Sequence, residues 1–509
     1  MGQYRDRIVA SLLCVAICLY VAVFAALAVV RYNTFHSAIF DLGIFAQVVW
    51  NTAHGRWFET TLDRATNISL IGSFLSVHVV PILLLLAPLY RLWPDPRLLL
   101  ILQTLALGVA AWPLYVIARQ CTGNSMSALI VACCYLAYPA LGFLNLFDFH
   151  STVLAIPLTF LAYWAWLGKR PLLFWSTVLL ALFTKEEMAI PLGAWGVVNL
   201  FRKERRRTGL GLLALSVAWF VLCFGLIIPL YNEGQPYRFL QLWSHLPGIS
   251  TQPAQGGTAQ VADVSSETYI LFLIHLFLPL GFLPFMGPAS FAVALPSLTY
   301  LLLGKRPAFH AVGYQYPAVL IPWFFLAAVE GLERAGRLTG RLARGRLRRL
   351  GLAFMVIGTI GINIPLNPIY LYAQAGFFRP DPYHAQIVEA LGQIPPQAGV
   401  ATVNRFGPQL ANRRILVALE YPPPLRLDHV QMADYVLLDL VDCRTVPSPD
   451  PRRGYAEIVA QVLQTGRFRV RYWSDRILLL ERGTPRADEL ADVLAYVEGL
   501  VEQNRPCWP

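Results

Sequence analysis

Apolar runs of membrane length recur through residues 1–370, parted only by short polar breaks. A helix needs about 20 consecutive apolar residues to cross the roughly 30 Å of bilayer hydrocarbon. By that measure the candidate crossings are residues 8–30, 97–118, 125–143, 151–167, 171–184, 187–201, 208–231, 267–285, 288–303, 316–331 and 350–366. A further apolar segment, 68–92, carries His78, Pro81 and Pro88. Charged residues make up only 14% of the chain, against about 25% in a soluble domain. The deficit is confined to the first part, because residues 380–509 read like an ordinary soluble chain. The expectation is an α-helical polytopic membrane protein of about 11 transmembrane helices, forming a transmembrane domain over 1–370. A small extracytoplasmic α/β domain over 371–509 follows it.

The formal net charge of +11 does not point to nucleic acid. The basic residues sit in bursts between apolar runs, as in FRKERRR (Phe201–Arg207) and RLTGRLARGRLRR (Arg337–Arg349). Such bursts mark loops kept in the cytoplasm. Cys14, Cys18, Cys133, Cys134 and Cys223 lie inside apolar runs, where cysteine acts as a small hydrophobe. Cys443 and Cys507 would be free to pair if the tail is extracytoplasmic. The first run, Ile8 to Val30, exceeds a signal-peptide core and is read as a retained anchor.

Placing the two basic bursts inside fixes the other loops by alternation. The N-terminus and Gly168–Arg170 fall in the cytoplasm. Loop 31–67, FDFH (Phe147–His150), TKEE (Thr184–Glu187), 304–315 and the tail fall outside. The count closes only if one early segment does not cross. Segment 68–92 is the choice, since its prolines remove backbone donors and favour a broken, half-inserted path.

The polar residues hardest to explain as loop filler then collect on the outer side. FDLGIFAQVVWNTAHGRW (Phe40–Trp57) has apolar residues at helical spacing and reads as an amphipathic helix lying in the interface, with Asp41 at its start. FDFH sets Asp148 and His150 at a membrane boundary. TKEE sets Lys185, Glu186 and Glu187 between two apolar runs with almost no loop. Charges at such depth normally face a wet cavity or one another. Residues 304–316 add Lys305, Arg306, His310, Tyr314 and Tyr316. Each has a plainer reading: Asp41 as a helix cap, Lys185 snorkelling and paired with Glu187, Lys305 and Arg306 on lipid phosphates. Their convergence on one side carries the functional argument.

FDLGIFAQVVWNTAHGR, SVHVVPILLLLAPLY, YPALGFLNLFDFH and LFTKEE, followed by VATVNRFGPQLANRR and ADYVLLDL, resemble an uncharacterised prokaryotic family of predicted membrane proteins, domain of unknown function 2079. That family is similar to the GT-C glycosyltransferases, which include oligosaccharyltransferase catalytic subunits, protein mannosyltransferases and aminoarabinose transferases. The resemblance implies that Asp41 matches their acidic residue in the first outer loop. FDFH with Asp148 would be their second acidic motif, His78 and Pro81 their proline-containing outer segment, and Lys185 their later motif lysine. It implies catalytic roles for Asp41, Asp148 and Lys185; His78, His150, Glu186, Glu187, Arg306, His310 and Tyr314 on the outer side are expected to bind substrate. A divalent metal (Mg or Mn), if used, would take Asp41 and Asp148, although the motif here is Asp-Phe-His where the relatives carry Asp-x-Asp or Asp-x-Glu.

The tail alternates helix and strand, with helix over 383–394, strands at 399–404, 413–419 and 435–440, helix over 454–466, and a hairpin over 468–482 turning at Ser474–Asp475. It has no nucleophile-elbow or phosphate-loop spacing, so a binding or lid role is expected there rather than catalysis. The leading expectation is a glycosyltransferase of the cytoplasmic membrane. It would move a sugar from a polyprenyl-phosphate donor to an acceptor (glycan, lipid or protein) outside. A transporter or lipid flippase, or an inactive GT-C-like scaffold subunit, is the alternative. The key residues are expected to line one cavity opening away from the cytoplasm.

Overall fold

The computed structural model describes residues 2–62, 72–232, 234, 237–246, 264–337, 341–419, 427–441 and 450–502. Cys443 and Cys507, and residues 68–71 of the proline-rich segment, lie outside them.

Among the described residues, four helical stretches are long and apolar enough to cross a membrane: Tyr4–Asn33, Pro96–Thr122, Lys203–Tyr231 and Gly345–Gln374. A fifth would be the pair Ser125–Leu136 and Pro139–Phe147, bent by 43°. Pro139 explains the bend, because it cannot donate to the preceding turn and opens the second helix at its first position. The apolar runs read as crossings at 151–167 and 171–184 form shorter helices, Ala155–Leu167 and Pro171–Leu182. The run at 267–285 gives a helix only over Ser266–Phe277. It then breaks into tight turns at Gly281 and Phe282, both with left-handed backbone. Helix Ile321–Arg337 is the centre of the bundle, and Trp323, Phe324, Phe325, Leu326, Ala327, Ala328 and Val329 along it are all essentially inaccessible. The outward faces of the long helices carry exposed apolar side chains such as Leu12, Val15, Leu19, Phe354, Ile357 and Ile360. Faces like these suit a lipid solvent and not water.

The bundle has two chemically different ends. At one, Asp6 near the start of helix α1 (Gly2–Asn33) pairs with Arg119, and Arg348 donates to the Thr122 carbonyl. Arg205 there reaches the Trp166 carbonyl, and Arg170 lies over Trp164. At the other end, Arg31 at the close of α1 meets Asp148, and Tyr300 meets Glu187. Successive helices thus alternate between a basic end and an end of mixed charge.

Two outer elements depart from simple crossings. Helix α3 (Leu83–Leu92) contains Pro88 and rises about 15 Å, half a bilayer core. Helix α2 (Ile44–Ala53) is helical as its spacing predicts, but it does not lie on a lipid surface. Eight of its ten residues are buried, Gln47 and Asn51 among them. Helix α3 packs against it, Phe45 meets Phe74 and Phe149, and Gln47 reaches the tail.

The tail builds a five-stranded sheet from β1 (Val400–Thr402), β2 (Leu416–Ala418), β3 (Tyr435–Asp439), β4 (Phe468–Trp473) and β5 (Ile477–Arg482), in the order β2-β1-β3-β5-β4. The first three strands are parallel, and the β4–β5 hairpin adds antiparallel to β3. Helices His384–Gly392, Pro451–Gln464 and Ala487–Glu502 complete it; the last was not read from the sequence. Its core is continuous with the outer loop. Ile39, Leu42, Phe45, Val48 and Val49 belong to the same buried cluster as Phe406, Leu410, Leu416 and Val436. Among the described residues the edge of β2 has no strand beside it. Instead Thr61 Oγ1 donates to the Leu416 carbonyl at 2.6 Å and accepts the Leu416 amide at 2.9 Å, and Gln47 Nε2 donates to the carbonyls of Arg413 and Arg414. These side chains satisfy backbone groups that an open sheet edge leaves bare.

Candidate functional site

The mixed-charge end is assembled by three turns that interrupt helices. Phe147–His150 is held from beneath by the helix Pro96–Val109. There Gln103, fully buried, donates to the carbonyls of Leu144, Asn145 and Asp148 and accepts the His150 amide at 3.0 Å. Thr104 donates to Asn145 Oδ1 at 2.9 Å. This fixes Asp148 and His150 in opposite roles.

Asp148 is buried and both its oxygens are engaged. Oδ1 takes the Arg31 guanidinium at 2.7 Å, and Oδ2 accepts the Ala38 amide at 3.0 Å. Arg31 also donates to the Phe147 carbonyl and lies against the rings of Tyr372 and Phe377. The pair ties α1 to the start of the Asp41 loop.

Asp41 sits in a wide π-type turn, Ile39–Gly43, where the Gly43 amide reaches back to the Ala38 carbonyl. Such turns recur at functional sites. Its side chain is 25% exposed, and His150 Nε2 faces its Oδ1 at 3.3 Å. His150 Nδ1 faces the Asp148 carbonyl at 3.3 Å, and Phe147 stacks on the ring.

Thr184–Glu187 folds back against the proline-rich segment, where the Ile82 amide donates to the Phe183 carbonyl. Glu186 is buried; it binds His78 Nδ1 at 2.8 Å, the Val79 amide at 3.0 Å and the Tyr237 hydroxyl at 3.4 Å. Phe239 stacks on His78. Lys185 pairs with Glu187 at 3.1 Å, and Tyr300 donates to the other oxygen of Glu187 at 3.2 Å.

Tyr316 joins the two groups. Asp41, Lys185, Glu187 and Arg306 all lie within Coulombic range of its hydroxyl, and the Arg306 guanidinium sits 5.5 Å from its ring. Tyr314 packs on Phe147 and completes this rim. His310 goes elsewhere. It is buried between helices, with Nε2 on the Leu301 carbonyl and its ring against Tyr269. Sequence reasoning missed Arg31, Gln103, Tyr237 and Tyr300. Only Arg31 carried a signal, since a lone arginine at the end of an apolar run away from the basic loops requires a buried partner.

Asp41 and Asp148 do not fit a shared cation, because donors already occupy both Asp148 oxygens. Among the described residues no three of His, Cys, Asp and Glu group as metal ligands.

This arrangement, a helical bundle with a broken outer segment, is a fold shared with solved structures. The chain belongs to the predicted membrane protein family DUF2079, whose model matches residues 31–479. Solved structures of the same fold include that of ArnT from Cupriavidus metallidurans bound to undecaprenyl phosphate. It is 12% identical, with 91% of this chain and 97% of that one covered at a TM-score of 0.55. No curated protein sequence matches the chain.

Proposed function

We propose that the protein is a GT-C type inverting glycosyltransferase that moves a sugar from a polyprenyl-phosphate donor to an acceptor on the extracytoplasmic side of the cell membrane. The observation that carries this reading is a set of paired but accessible charged groups at the mixed-charge end of the bundle, Asp41 facing His150 at 3.3 Å and Lys185 paired with Glu187 at 3.1 Å. The shared fold with ArnT, whose structure holds undecaprenyl phosphate, supports a lipid-linked donor. A long isoprenoid remains in lipid while its phosphate reaches a site at the bilayer edge. The basic loops support a cytoplasmic position for the opposite end.

In this reading the acceptor hydroxyl oxygen attacks the anomeric carbon. The bond from that carbon to the phosphate oxygen breaks, its electron pair leaving on the phosphate. Asp41, accessible and oriented by His150, takes the hydroxyl proton as general base. Lys185 and Arg306 supply positive charge to the departing phosphate, a preorganised field of the kind that contributes most to barrier lowering. Asp148, with both oxygens engaged, acts with Arg31 to position the Asp41 loop. Glu186 and Glu187 hold His78 and Lys185 in place, and Tyr314 shapes the rim.

The test is Asp41→Asn in proteoliposomes supplied with a panel of polyprenyl-phosphate sugars. Transfer should fall by about 10²–10⁴-fold with expression and melting unchanged. Undiminished transfer removes the base. Movement of a fluorescent polyprenyl phosphate between leaflets without any transfer would favour a transporter instead.

A further inference from the structure

The tail touches the Asp41 turn through Asn404–Leu410, the two short turns that follow the parallel strand β1. Asn404 Oδ1 accepts the Ile39 amide at 2.8 Å. Ile39 is the first residue of the π-type turn that carries Asp41, and the amide before it, Ala38, is held by Asp148. Two consecutive amides are therefore gripped from opposite sides, one by the membrane bundle and one by the tail. Gly407 confirms how close the approach is. Its φ of −55° suits any residue, yet a Cβ there would lie 2.2–2.5 Å from the Ile39 side chain. Only a residue with no side chain lets the two backbones meet.

Asn404 is itself held firmly. The next residue, Arg405, is locked into a buried square of charges. It binds Asp381 at 2.6 Å and Asp439 at 3.0 Å, while Arg476 grips Asp439 with two bonds of 2.6 Å and reaches Asp381 at 3.4 Å. All four side chains are at most 6% exposed. Asp439 ends β3, and Asn404 follows the neighbouring β1. Connections leave these two strands in opposite directions, which is where open α/β sheets ordinarily open a ligand crevice. Here balanced charges fill that position and the Asp41 loop sits against it.

We infer that Asn404 is a positioning residue for Asp41, and that the tail serves the reaction by setting the geometry of the π-type turn. The inference rests on Asp41 being the base. The path runs from the charge square through Arg405 and Asn404 to the Ile39 amide. The tail binds no substrate in this role.

Full-length protein in nanodiscs gives two readouts: amide hydrogen exchange over residues 38–45, and the KM and kcat of transfer from polyprenyl-phosphate sugars. Asn404→Leu keeps the size but cannot accept the hydrogen bond, whereas Asn404→Asp can. Asn404→Leu should raise exchange in the turn about tenfold and lower kcat by at least about tenfold, with the donor KM unchanged. Asn404→Asp should stay near wild type in both. Gly407→Ala, which pushes on Ile39 while leaving Asn404 intact, should move both readouts in the direction of Asn404→Leu. Unchanged exchange in Asn404→Leu overturns the inference, as does raised exchange with full transfer, or an Asn404→Asp protein that behaves like the leucine variant. If Asp41→Asn leaves transfer intact, the base assignment falls and the exchange arm alone decides whether Asn404 holds the turn.

Discussion

Two clusters of opposite charges, far apart in the chain, are linked in this fold through Arg405, Asn404 and Ile39, and they differ in how completely they are closed. In the tail, Asp381, Asp439, Arg405 and Arg476 satisfy one another and meet almost no solvent. At the mixed-charge end of the bundle, Asp41, His78, Lys185 and Glu187 are also paired, but their side chains keep 14–25% exposure. A closed set of charges can only hold structure. A set with accessible carboxylate and ammonium atoms can meet a substrate. Burial therefore separates scaffold from chemistry here, where residue type alone does not.

That contrast can be broken at several points. The largest stability effect belongs to the tail. Asp439→Ala leaves Arg405 and Arg476 sharing one carboxylate in a buried site, and should cost about 4 kcal/mol, read as a large fall in melting temperature of the purified protein. Arg31→Met comes next, at about 3 kcal/mol, because it strands the buried Asp148 carboxylate. Asp41→Asn should leave melting unmoved while transfer collapses. If Arg31→Met melted like wild type, Asp148 would have to be counted with the open groups. The smallest effect lies on the tail surface, where Glu481 binds Arg469 at 2.8 Å and accepts from Tyr435. Glu481→Gln should cost below about 1 kcal/mol at neutral pH. The hydrogen bonds from Arg469 and then Tyr435 hold the Glu481 carboxyl below its usual pKa. The wild-type advantage is therefore present above the ordinary glutamate range and shrinks as pH falls through and below it. A loss comparable to Asp439→Ala would erase the distinction.

Much of this was legible in the residues alone. The strand and helix segments of the tail appear within a few residues of their expected positions, since alternation and turn residues report them directly. Asp41, His150, Lys185, Glu186 and Glu187 stood out as charged or titratable groups in apolar surroundings, where an ionised side chain needs a partner or a wet cavity. What failed was assignment of faces. Helix α2 has the pattern of an interfacial helix, yet it is packed against α3 and buried, and a hydrophobic stripe cannot say whether lipid or protein will lie against it. His310 matched the others in sequence context but turned into the bundle to bind the Leu301 carbonyl. Asn404 and Gln47 carried no signal, being ordinary polar residues whose partners are hundreds of positions away.

The sequence by itself determined a helical bundle with apolar segments of membrane length and a tail of alternating helix and strand, because hydrophobicity and local spacing are properties of neighbouring residues. Only the tertiary structure decided which carboxylates stay open, which are sealed by Arg31 or by the arginines of the tail, and that the tail grips the Asp41 turn. Those outcomes depend on donors and acceptors meeting across distant segments, and the cost of burying an unpaired charge acts on the assembled fold, not on the chain read in order.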